Sequence, residues 1–163
     1  MSYVVADTGP LIALAHLDLL GLPCQLFEER PFITQSVLME CLNAANKPGI
    51  GSIQNAVDKN CFCVVPDPVM PNQIANLLLG RGELSALAFA LEHRGVVLMD
   101  DAKARKAAER LSIPVIGICG LLLAAKNKKL VTELRPLLSI LLKRSYFLSP
   151  SFCAEILRLA GEL

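Results

Sequence analysis

Tryptophan is absent from the 163 residues, and aromatic side chains make up only 5 % of them. A core must therefore be aliphatic, built from Leu, Ile, Val and Ala. Histidine is nearly missing too, at two residues, and none of the six cysteines forms a CxxC pair, so the ligand spacing of a zinc site is not there. Neither sign of charge dominates: 16 basic residues stand against 15 acidic ones, for a net charge of +1. A nucleic-acid partner is thus not announced by global charge, and any basic patch must be local. Lys103, Arg105 and Lys106 form one such group, Lys126, Lys128 and Lys129 another, Lys143-Arg144 a third, with a solvated face as the default reading of each. No apolar run is long enough for a bilayer. Ile113 to Ala125 is the longest and is broken by Pro114, Gly117 and Gly120. No secretory pattern opens the chain, because Asp7 interrupts the first apolar run. Reduced thiols, a cytoplasmic location and no membrane are the expectation. No Walker loop or GxGxxG precedes a helix, which removes the common nucleotide-cofactor readings.

What is present is aliphatic residue in abundance, 53 % hydrophobic overall with a mean hydropathy of +0.49, arranged as alternating strands and helices. The surplus of apolar residue in a small chain points weakly to a subunit interface. Tyr3–Ala6 reads as a strand, followed by Asp7, a Thr8-Gly9 turn and a helix opened by Pro10, where a missing N–H costs nothing. The same alternation predicts strands at Pro31–Thr34, Cys61–Val65, Val96–Met99 and Pro114–Ile116. Helices are predicted over Gln35–Asn46, Ile50–Asn60, Pro71–Leu79, Glu83–Leu91, Ala102–Leu111, Gly117–Lys126, Val131–Leu142 and Phe152–Leu159. Gly21 and Pro23 interrupt the first helix, the Lys47-Pro48-Gly49 turn ends the Gln35–Asn46 helix, Gly80-Arg81-Gly82 reads as a flexible loop and Gly95 as a helix cap. Val96–Met99 is the continuous apolar type of strand buried on both faces of a parallel sheet. The fold class is α/β with a parallel sheet, in a single domain spanning 1–163.

The acids follow one grammar. Asp7 closes the first strand, and Asp100-Asp101 close Val96–Met99, so both lie where the ends of parallel strands place ligands. Glu83 begins the helix before that second strand. Glu40 lies, at ~100° per residue, on the boundary of its helix's apolar arc. Each acid has a bland reading: Asp7 as a helix start, Glu83 as a charge favoured by the helix dipole. Together, without an arginine partner, they would repel one another and raise each other's pKa. A hard divalent cation, Mg²⁺ or Mn²⁺, relieves such a cluster, and its waters can attack phosphorus. The expectation is metal-dependent phosphodiester hydrolysis.

Val4-Val-Ala-Asp7-Thr-Gly-Pro-Leu-Ile-Ala-Leu, Ser36-Val-Leu-Met-Glu40, Gly82-Glu83-Leu-Ser-Ala-Leu-Ala and Leu98-Met-Asp100-Asp101-Ala-Lys-Ala-Arg105 together resemble a PIN-domain protein, closest to an uncharacterised bacterial branch related to VapC-type toxins. The likeness covers residues 3 to about 125. A helical C-terminal extension from about 130 resembles the tail of that branch. The resemblance implies a three-layer α/β/α sandwich, a Mg²⁺- or Mn²⁺-dependent endoribonuclease, a homodimer and an antitoxin partner. Position by position, Asp7, Glu40, Glu83 and the Asp100-Asp101 pair match the metal-binding, catalytic acids, and Thr8 matches a hydroxyl that holds a metal-bound water. Glu83 stands where VapC-type proteins more often have Asp. Met99-Asp100-Asp101 replaces their Thr-x-Asp, which leaves open which aspartate faces the site. Lys103 and Arg105, just beyond, could contact phosphate.

Rival readings are weaker. Asp7-Thr8-Gly9 spells the aspartic-protease signature, but that fold is strand-rich and needs a second such loop. A phospho-acceptor receiver domain would leave Glu40 without a role. The serious alternative is a PIN-like module that has lost catalysis and works by binding, since intact acids do not by themselves establish turnover.

Overall fold

The computed structural model describes residues 3–43 and 50–163. Ala44, Ala45 and the expected turn at Lys47-Pro48-Gly49 lie outside them. Among the described residues the strands are β1 (Val4–Ala6), β2 (Phe32–Thr34), β3 (Cys63–Val65), β4 (Val96–Leu98) and β5 (Val115–Ile116). They form one parallel sheet in the order β3-β2-β1-β4-β5. β1 and β4 run in register, Val4 opposite Val96 and Ala6 opposite Leu98. The chain leaves β1 toward β2 on one side and reaches β4 on the other. This reversal opens a crevice beyond the carboxyl ends of the two central strands.

The helices are α1 (Thr8–His16), α2 (Leu22–Phe27), α3 (Gln35–Asn43), α4 (Ile50–Asp58), α5 (Asn72–Ala75), α6 (Arg81–His93), α7 (Ala102–Arg110), α8 (Ile118–Asn127), α9 (Arg135–Lys143) and α10 (Pro150–Leu159). Side chains alternate across the sheet, as the period of two requires. Ala6, Ile33 and Leu98 face a core filled by Leu11 and Leu14 of α1, Val37 of α3, Leu121 and Leu122 of α8 and Leu138 of α9. Val5, Val97 and Met99 face the other way, onto Ala86 to Ala90 of α6 and Ala104, Ala107 and Ala108 of α7. The result is the expected α/β/α sandwich. The small residues of α6 and α7 let those helices lie close against the sheet.

Several element limits differ from expectation for local reasons. Pro23 does not end a helix; it sits in the first turn of α2, where proline is tolerated. α5 is shorter than Pro71–Leu79, since Ile74 alone of its residues is buried and Leu78 is 83 % exposed. α9 begins at Arg135 with Pro136 in its first turn rather than at Val131. The left-handed residue that ends α6 is Arg94, not Gly95. Gly95 instead lies against β1, where a Cβ would stand 2.6 Å from the Tyr3 carbonyl oxygen. No helix among the described residues is long and apolar enough to cross a membrane.

Candidate active site

β1 delivers Asp7 to the crevice. Its N–H donates to the Leu98 carbonyl (2.9 Å), the last rung between the two central strands. Its side chain is 5 % exposed, and Oδ1 has no hydrogen-bond partner. Asp7 stands at the N-cap of α1, but its side chain makes no cap bond to that helix. Burial pushes the carboxyl up to about 7; the charges of Glu83, Glu40 and Asp101 push the same way, while the Thr8 amide opposes them.

Glu40 reaches the same place from α3. The Gly82 N–H donates to its Oε1 (2.8 Å), and the Thr8 hydroxyl donates to its Oε2 (2.9 Å). Gly82 permits this approach: a Cβ there would fall 2.5 to 2.7 Å from the Glu40 carboxylate. Residues 80–82, expected to be a loose loop, are thus tied down, with Arg81 and Gly82 already in α6. Glu83 behaves as a first-turn acid should. Its Oε2 accepts the Gly80 N–H (2.9 Å). Burial raises its pKa, helped by Asp101 and Glu40 and opposed by the Gly80 amide and Lys103.

The two aspartates after β4 part company. Asp101 is the N-cap of α7 and accepts the Ala104 N–H (2.9 Å). It is among the charges that reach Asp7 and Glu83; Asp100 is not. Asp100 accepts the Ile118 N–H (3.0 Å) and the Tyr146 hydroxyl. Its pKa is raised by burial, against the pull of Tyr146, Ile118 and nearby Arg105. Arg105 is half-buried and donates to the Met99 carbonyl (3.1 Å), whereas Lys103 is exposed.

The structure therefore brings Asp7, Glu40, Glu83 and Asp101 to one rim, and carries Asp100 to a separate contact. The expected Mg²⁺ or Mn²⁺ is not supported. Among the described residues no group of three or more His, Cys, Asp or Glu side chains is placed to hold an ion. The reason lies in the bonds: Glu40 is spent on Gly82 and Thr8, Glu83 on Gly80 and Asp101 on Ala104. The acids feel one another's charge without aiming their oxygens at a common point. Thr8, expected to hold a metal-bound water, donates to Glu40 instead.

Cysteine chemistry is absent from the rim as well. All six thiols are free, and burial pushes Cys41, which also feels the charges of Asp7 and Glu40, up to about 12. Two features escaped sequence reasoning. Asp67 accepts the Ser36 N–H (2.9 Å) and the Ser36 hydroxyl, and lies 3.8 Å from Arg81. Behind the rim, the buried hydroxyls of Thr34 and Ser85 are bonded at 2.7 Å. Neither carried a signal in the sequence, since such pairs join residues 31 to 51 positions apart.

Comparison with known families gives one result: the PIN-domain family model matches residues 3–162. A search of curated proteins finds no match.

Proposed function

Because the chain belongs to the PIN-domain family, we propose that it is a nuclease-like hydrolase of RNA phosphodiester bonds, working at the rim where Asp7 lies beside Glu40, Glu83 and Asp101. The observation that carries this reading is the buried Asp7 oxygen without a donor. An unsatisfied buried polar group is costly, and three further acids around it add to that cost. No structural joint gains from the arrangement, while a reactive site does. In this reading Asp7 accepts the proton of the water that attacks phosphorus, its pKa of about 7 lying close to neutral pH. Glu40 and Glu83 hold the first turn of α6 and Thr8 in place around it. A phosphodiester nearing four acids is repelled. Lys103, exposed and within electrostatic reach of Glu83, supplies the local positive charge to receive it. Arg105 contributes less, being turned to the Met99 carbonyl.

The second reading, a PIN-like module that binds without cleaving, is favoured by the internal bonds of Glu40, Glu83 and Asp101. Incubating purified protein with a structured RNA pool separates the two. In the first reading cleavage is expected in the unmodified chain and lost in Asp7→Asn. Retention of RNA by both proteins with no cleavage by either gives the second reading. Cleavage undiminished in Asp7→Asn removes Asp7 from the reaction. A homodimer and a protein antitoxin belong to the same proposal. The exposed apolar residues Ile140, Leu142, Phe147, Phe152 and Leu159 support a partner, and sedimentation of the chain alone tests the dimer.

A further inference from the structure

Asp100 directly precedes a rim acid, yet its carboxylate faces the C-terminal part of the chain. One oxygen accepts the Ile118 N–H at the start of α8, and the other accepts the Tyr146 hydroxyl. We propose that Tyr146 is a positioning residue for the acid rim: by holding Asp100 against α8, it fixes the β4–α7 turn so that Asp101, and not Asp100, joins Asp7 and Glu83. The inference rests on the reading of that rim as the reactive site.

Tyr146 is placed firmly enough for this task. α9 ends in a Schellman arrangement, with Ser145 in the left-handed region (φ 62), its N–H on the Leu142 carbonyl (3.1 Å) and the Tyr146 N–H on the Leu141 carbonyl (2.9 Å). Three residues on, Ser149 caps α10 by accepting the Phe152 N–H. Tyr146 thus stands between two caps rather than in slack chain. On the other side, the site for Asp100 is shaped closely. A Cβ on Gly117 would lie 2.7 Å from the Arg105 guanidinium and 2.8 Å from Asp100 Oδ1. Arg105 in turn holds the Met99 carbonyl (3.1 Å). The start of α8, Arg105 of α7 and Tyr146 between α9 and α10 therefore meet on the two residues before Asp101. Without the Tyr146 hydroxyl, a half-buried carboxylate loses one of its two donors and gains reason to turn toward the crevice, where it would add a further negative charge.

The test uses Tyr146→Phe, Asp100→Asn and the double variant of the full chain, with Val69→Ser as control, since Val69 is 92 % exposed. Tyr146→Phe is expected to lower kcat for RNA cleavage about tenfold, with KM within about twofold, as displaced catalytic groups do. The double variant should be no slower than the slower single one, because both changes break the same link. Amide hydrogen exchange should quicken at residues 100–104 and at Ile118 in Tyr146→Phe, and stay unchanged in α1. Val69→Ser should match the unmodified chain in both measurements. Additive losses, or an unchanged kcat with unchanged exchange, overturn the inference. If the unmodified chain cleaves no RNA, the functional reading fails on its own. The exchange measurement then decides whether Tyr146 sets the turn.

Discussion

Two carboxylates of this chain, the buried Asp7 and the half-buried Glu162, are treated in opposite ways. Glu162, near the C-terminus, accepts the Lys126 ammonium (2.7 Å) and the N–H groups of Leu134 (2.8 Å) and Arg135 (3.0 Å). Arg135 also donates to the Glu162 carbonyl (2.6 Å). Against the cost of burial, these donors hold its carboxyl down at about 2. Asp7 is buried with one oxygen unbonded and a carboxyl pushed up to about 7. Glu162 clamps the start of α9 to α8 and behaves as a joint. Asp7 clamps nothing; the sheet and α1 hold it where it is. Donors surround an acid that the fold uses, and are withheld from an acid that something else is to use.

The sharpest way to break this contrast is to remove the Asp7 charge. Unfolded, the carboxyl loses its proton near 3.8; folded, near 7. Between those values the folded state binds more protons, so this group makes stability fall as pH rises and leaves a constant deficit above 7. Asp7→Asn abolishes the deficit. The variant is expected to match the unmodified chain near pH 4 and to exceed it by a few kcal/mol at pH 7.5, read as a Tm difference that widens with pH. Cleavage should fall by about 10²- to 10⁴-fold, the usual worth of a proton-transfer group. A variant less stable than the parent at pH 7.5 would make Asp7 a joint like Glu162.

Glu162 is expected to answer with the opposite sign. Its folded pKa of about 2 lies below the ordinary 4.5, so its contribution is complete above 4.5 and lost as pH falls toward 2. Glu162→Ala leaves Lys126 and two N–H groups without their acceptor and should cost about 2 kcal/mol at neutral pH. Thermal unfolding at pH 7 and pH 3 checks this: the gap to the parent should narrow at the lower pH. RNA cleavage should be unaffected at temperatures where both proteins are folded.

The contrast also explains what the sequence could and could not disclose. Acids at strand ends and in first helical turns are a local pattern, so Asp7, Glu83 and Asp101 were visible, as was the parallel sheet under them. The buried strand Val96–Leu98 and the apolar α6 were legible for the same reason, since burial on all sides removes polar residues from a whole stretch. Direction was not legible. Asp100 and Asp101 are identical in type and adjacent, and what separates them includes contacts from Ile118 and Tyr146, 18 and 46 positions away. The metal expectation failed at the same level. It followed from charges being near one another, whereas an ion needs oxygens aimed at one point, and Gly80, Gly82, Thr8 and Ala104 have drawn them elsewhere. Glycine illustrates the limit: Gly82 and Gly95 read as loop and cap, yet each serves a close approach by residues distant in the chain.

Glu40 lies between the two extremes, and the smallest expected effect tests which it resembles. It has donors, Gly82 and Thr8, yet it is exposed and adds to the charge at Asp7. Gly82→Ala places a Cβ 2.5 to 2.7 Å from its carboxylate. Since that carboxylate ends a flexible side chain, Glu40 should swing away rather than α6 shift. Two hydrogen bonds at the surface are lost, worth about 1 kcal/mol each at most, while alanine favours the helix over glycine by up to about 1 kcal/mol. The net change in stability should stay within about 1 kcal/mol. With Glu40 displaced, one of the charges that raise Asp7 recedes, so the pH at which the parent's stability levels off should move down. Glu40→Gln, which removes the same charge but keeps an acceptor for Gly82, should move it the same way. A large loss of stability in Gly82→Ala with no movement of that midpoint would place Glu40 with Glu162, as a joint between α3 and α6, and leave Asp7 with Glu83 and Asp101 alone at the rim.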